Sequence, residues 1–124
     1  MNVGQKYTSE IKVEEKHLAC NVGSGDLPVF GTPMMMALME NAAMLCVATD
    51  LEEGQSTVGG YISSSHIKPT GLGKTVKATA ELIAIDGRKL KFKVVAEDED
   101  GKIGEGEHLR FIINKEKFMG NVKQ

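Results

Sequence analysis

Glu40 is the one acidic residue in the apolar stretch MMMALMENAAMLCVAT. An ionised carboxylate buried there costs on the order of several kcal/mol unless it is paired or hydrogen-bonded. One reading makes Glu40 and Asn41 a polar strip reaching solvent or a subunit contact. The other makes Glu40 a base or nucleophile. His66 closes GGYISSSH, just ahead of Lys68 and Pro69, and a free imidazole titrates close to neutral pH, which suits acid–base work. Strand alternation would put His66 on one face with Val58, Ile62 and Ser64, against the helix. The plainer reading is a histidine hydrogen-bonded at a strand end. Taken together, carboxylate and imidazole are expected as partners.

The elements that must hold these side chains follow from periodicity and breakers. NVGSGDLPVFGTP is rich in glycine and proline and precedes a run of helix formers free of both. Thr32 as N-cap and Pro33 at the first helical position predict a helix from Pro33 to Ala48, with Gly54 as a later stop. Its apolar residues run almost all the way round, which implies burial on most faces. Eight helical residues separate Thr32 from Glu40, about 12 Å along the axis. The two meet only if the loop folds back, a substrate bridges them or a second subunit completes the site.

Strands are expected at Tyr7 to Glu15, Thr57 to Ile67, Lys74 to Ile85, Lys89 to Glu97 and Lys102 to Ile113. The separators DGR and DEDG are hairpin turns, so the last three strands form an antiparallel meander. Val76, Ala78, Ala80 and Leu82 share one face. The economical packing is α+β, one sheet of about five strands around one helix.

Composition narrows the function classes. A chain of 124 residues with net charge −2 suits one soluble domain, residues 1–124, with a real core. No apolar run spans a bilayer and the N-terminus lacks a secretion signal, so no membrane partner and a cytoplasmic location are expected. Near-neutral charge without a basic block argues against nucleic acid. Cys20 and Cys46 lack CxxC spacing, and His17, His66 and His108 are scattered, so no metal site or disulfide framework is expected.

Three segments, FGTPMMMALMENAA, GGYISSSHIKPT and GEGEHLRFII, together resemble the fluoroacetyl-CoA thioesterase-like branch of the hot-dog thioesterases, over most of the chain. The resemblance implies a hot-dog fold, an antiparallel sheet wrapped round one long helix. It implies hydrolysis of a short acyl thioester of coenzyme A without cofactor or metal, with a catalytic set at Thr32, Glu40 and His66. Gly104, Gly106, His108 and Arg110 match the family's pattern in the last strand. Glycines at these positions also let a sheet bend.

On that resemblance, Gly59 and Gly60 are candidates to bring backbone N–H groups to the thioester oxyanion, the alternative being a β-bulge. Lys68, Lys74 and Arg110 are candidates for the CoA phosphates. Phe30 is the one aromatic in GSGDLPVFG, so preference for a fluorinated acyl group does not follow from the family. Met34, Met35 and Met36 offer an adaptable apolar wall or plain core. Two other readings stay open: a non-catalytic acyl-CoA binding or sensing protein, and a hot-dog dehydratase or hydratase, whose histidine usually precedes the helix carboxylate. A homodimer or higher homo-oligomer is expected.

Overall fold

A computed structural model describes residues 1–122. Five antiparallel strands form one sheet in the order β1-β3-β4-β5-β2: β1 (Lys6–Lys12), β2 (Gln55–Ser64), β3 (Thr75–Asp86), β4 (Lys89–Asp98) and β5 (Gly101–Asn114). The helices are α1 (Ala19–Val22), α2 (Thr32–Val47) and α3 (Lys115–Gly120). The sheet curls round α2, which lies chiefly on β3 and β1.

The β3-β4-β5 meander follows the expected turns, with Gly87 and Gly101 at φ 60° and 128°, a region open to glycine at little cost. Val76, Ala78, Ala80 and Leu82 of β3 are each fully buried. They face Met35, Met39, Ala42, Ala43 and Val47 of α2 across one core that also takes in Phe92, Val94 and Ile103. Small residues on β3 let the helix backbone approach; leucine, methionine and phenylalanine fill the remaining volume.

Several boundaries differ from expectation. β1 ends at Lys12, because Glu14 turns the chain into a short 3-10 segment, Glu15–His17, closed by a reciprocal capping box with His17. α2 is capped by Gly31 rather than Thr32, its carbonyl accepting from Met34 and Met35 N–H at 3.0 and 3.1 Å. Thr32 is thus the first helical residue and its hydroxyl is left for another partner. The helix buries one face only. Met36 and Ala37 lie on the other side, where Met44 and Leu45 are exposed.

β2 carries the largest departure. Gly59 pairs with Arg110 and Tyr61 with Leu109, so Gly60 is an extra residue, a β-bulge. A side chain on Gly60 would collide with the Phe111 ring. The bulge reverses the inside–outside alternation. Thr57 and Gly59 face inward before it and Ile62 after it, while Val58 faces outward opposite Phe111. Val58 therefore does not share a face with Ile62, and β2 ends at Ser64, so His66 lies in the following loop rather than on the strand. Gly104 and Gly106 have their own reason: a Cβ at either would meet the backbone carbonyls of Ser65 and Ser63.

Candidate active site

The segment entering α2 is pinned at both ends. Leu18 bridges Phe30, Ala19 N–H donates to Val29 C=O at 2.7 Å, Gly31 N–H to His17 C=O at 2.9 Å and Phe30 N–H to Thr70 C=O at 2.8 Å. Phe30 is 1% exposed and meets the His17 ring edge-on. These bonds fix where α2 begins, and so fix Thr32.

From there Thr32 Oγ1 lies 2.7 Å from His66 Nδ1, a direct hydrogen bond between the helix start and the loop after β2. His66 Nε2 is shut off from solvent with no hydrogen-bond partner among the described residues. Burial pushes the imidazole below its ordinary pKa, because desolvation disfavours the charged ring. The ring is therefore neutral at physiological pH, and its bond to Thr32 sets the direction of the hydroxyl. The pair opens on a cleft of about 310 Å³ whose walls include Ala19, Val29, Phe30, Ile67 and Lys68.

Lys68 Nζ stands 3.6 Å from Asp98 Oδ1. Burial works against the Asp98 carboxylate, yet the Asp100 N–H, the Thr70 hydroxyl and Lys68 hold its pKa below the ordinary value. Lys68 thus keeps an anionic neighbour and remains at the cleft edge. Lys74 is paired with Glu99 at 4.0 Å and is not among the residues that line the cleft.

Glu40 is elsewhere. Its Oε2 lies 3.0 Å from the point where a Cβ on Gly59 would stand, with His108 Cε1 at 3.2 Å and Arg110 Nη1 at 3.6 Å from the same point. Within one chain the expected Glu40–His66 partnership is therefore not formed: His66 pairs with Thr32, and the neighbours of Glu40 are Gly59, His108 and Arg110. The reason is the helix rise, which carries Glu40 two turns beyond Thr32.

Arg110 also departs from expectation. It is 6% exposed, its Nε donating to Thr57 Oγ1 at 2.8 Å and its Nη2 to Thr57 C=O at 2.9 Å. A guanidinium held so deeply is not a surface ligand for CoA phosphates. His108, 1% exposed, completes the cluster, with Nδ1 2.7 Å from Tyr61 C=O and Nε2 3.1 Å from Arg110 Nη1. In the sequence His108 stands only within the family's last-strand pattern. Its two-residue spacing from Arg110 on one strand was the signal that both share a face.

Comparison with known proteins finds relatives over nearly the whole chain. A family model described as "FlK: Fluoroacetyl-CoA-specific thioesterase" matches residues 13–116. A fluoroacetyl-CoA thioesterase of Streptantibioticus cattleyicolor is 37% identical over 130 residues, covering 100% of this chain and 94% of that protein. A crystal structure of a variant of FlK in complex with fluoroacetate and CoA has a TM-score of 0.88 at 35% identity, covering 95% of this chain and 99% of the other. A thioesterase superfamily member from Thermus thermophilus has a TM-score of 0.89 at 26% identity, covering 96% and 88%. The chain belongs to the fluoroacetyl-CoA-specific thioesterase family, hot-dog-fold thioester hydrolases.

Proposed function

We propose that this thioester hydrolase cleaves a short-chain acyl-CoA, the whole chain, residues 1–124, acting as one domain in a homodimer. The observation that carries the reading is the Thr32–His66 hydrogen bond at the mouth of a cleft, with a carboxylate on the same helix beside an inward-facing glycine. In the reaction, water adds to the acyl carbon as Glu40 takes its proton. Backbone N–H groups at Gly59 and Gly60 receive the oxyanion, the C–S bond breaks, and the proton passes to the CoA sulfur. Thr32, its hydroxyl directed by neutral His66, positions the thioester or the water. Direct attack by Glu40 on the carbonyl is the other route open to the same carboxylate. Lys68 at the cleft edge is placed to meet CoA phosphates, and Phe30 forms the apolar wall behind the acyl group.

The distribution of the groups supports a second copy. Glu40 and the Thr32–His66 pair stand about 12 Å apart along α2, so one chain presents two half-sites. β2 is an edge strand, and Tyr61 on it is 55% exposed, as are Met44 and Leu45 on α2 at 38% and 36%. An open sheet edge and an exposed apolar helix face each call for cover. Sedimentation at micromolar concentration should show a dimer or larger assembly; a folded monomer would rule out a shared site.

Relatives indicate the substrate class. Variants of FlK altered at a threonine have been solved with fluoroacetate and with acetyl-CoA. Incubation of the purified protein with a panel of acyl-CoAs, acetyl- and fluoroacetyl-CoA among them, should release free CoA and the acid together, followed by mass spectrometry. Binding of acyl-CoA without release would favour a sensing role, and an enoyl or hydroxyacyl-CoA product would favour a dehydratase or hydratase.

A further inference from the structure

We propose that Asp98 is a positioning residue for the Thr32–His66 pair, acting through Thr70; this rests on the reading of that pair as part of the site and adds the group that sets its spacing. Asp98 is the last residue of β4, and its side chain is 4% exposed. A carboxylate is rarely so buried without partners, yet the turn to β5 asks little of it. The Asp100 N–H donating to Oδ1 at 2.8 Å is the usual local bond of an aspartate at a turn, and one oxygen is enough for that. The rest of the carboxylate serves another segment. Oδ2 accepts from Thr70 Oγ1 at 2.8 Å, and Lys68 Nζ stands 3.6 Å from Oδ1. Both residues belong to the loop that carries His66.

That loop is tied to the sheet on either side of His66, where Ser65 and Ile67 donate their N–H groups to the Glu105 and Ile103 carbonyls of β5 at 2.9 and 2.7 Å. Further on, Thr70 is 2% exposed and held in two directions: its hydroxyl donates to Asp98, and its carbonyl accepts from Phe30 N–H at 2.8 Å. Phe30 stands two residues before Thr32. The contacts therefore close a ring, from Asp98 to Thr70, from Thr70 to Phe30, along the chain to Thr32, across the 2.7 Å bond to His66, and through Lys68 back to Asp98. Neither Asp98 nor Thr70 is among the residues that line the cleft, so their effect falls on where Thr32 and His66 stand. A misplacement of about 1 Å can cost on the order of a hundredfold in rate. A helix start and a distant loop keep their spacing only if something fixes one against the other. Thr70 does so, and Asp98 holds Thr70.

The test joins kcat and KM, on acetyl-CoA and on the fastest substrate of the panel, to an NMR titration of the 3 histidines, the His66 signal being assigned by its loss in His66→Ala. Asp98→Ala should lower kcat at least about tenfold while KM stays within about threefold. It should also move the His66 pKa up toward the ordinary value of about 6.5, because a loosened loop lets water reach the ring. Loss of a negative charge would by itself move that pKa down, so the sign separates displacement from electrostatics. Asp98→Asn should recover most of the rate, since its amide can donate to the Thr70 hydroxyl while its oxygen keeps the Asp100 N–H. An asparagine variant as slow as the alanine one would assign the effect to charge and overturn the route through Thr70. A slower Asp98→Ala with an unmoved His66 pKa would make Asp98 merely structural, and an unchanged kcat would overturn the proposal outright. Should Asp98→Ala not fold, Thr70→Val removes the same bond from the other side, with Thr70→Ser as the rescue, and the same readouts decide. Wild-type turnover in His66→Ala would instead remove the reading of His66 on which the positioning role rests.

Discussion

Glu40→Gln should keep the fold and acyl-CoA binding while hydrolysis falls at least about a hundredfold, the lower end expected on losing a positioned base. Glutamine preserves the shape and removes the charge. The side chain is half-buried beside Gly59 and the Arg110 guanidinium, so the neutral amide fits the same space. Unchanged melting and unchanged affinity for a non-hydrolysable acyl-CoA analogue would show that the loss lies in the chemical step. Turnover near wild type would make Glu40 a tolerated polar residue at a subunit contact.

His66→Ala should lower kcat by at least about a hundredfold with a smaller change in KM. Alanine removes the group that directs the Thr32 hydroxyl, and an interaction that matters mainly in the transition state appears in kcat rather than as uniform binding. The pH profile gives the sign independently. The neutral ring is the working form, and burial favours that form. Activity should therefore rise with pH through a pKa below the ordinary imidazole value of about 6.5, a more acidic limb than a solvated histidine would give. In His66→Ala that limb should disappear. An unchanged kcat with an unchanged profile would return His66 to an ordinary loop histidine bonded to Thr32.

The helix and the meander were legible because local chemistry determines them. Thr-Pro starts a helix, glycines mark the turns, and Val76, Ala78, Ala80 and Leu82 alternate inward. What was not legible depends on long-range register. The Gly60 bulge appears only when β2 is set against β5, and it removes Val58 from the face assigned to it. Burial of Arg110 depends on Thr57, fifty-three residues away, so an isolated arginine in the sequence read as a surface cation. The Thr32–His66 bond joins residues thirty-four apart. Neither capping nor strand alternation could show it, since Gly31 caps the helix and His66 lies past the strand.

The one-residue bulge at Gly60 acts like a frameshift in the reading of the strand. Upstream of it, Thr57 and Gly59 belong to the Arg110 neighbourhood; downstream, Ile62 leads toward the His66 loop. Both neighbourhoods are thus served by one strand only because its frame changes once. An insertion or deletion between Gly59 and Ser64 would turn one set of side chains outward, so natural or laboratory variation has little freedom in length there. The exposed stretch 21–28 belongs to no ladder, yet Ser24 within it borders the cleft. Variation in acyl preference should therefore accumulate in that stretch, as changes of length and side chain, while the β2 frame stays constant.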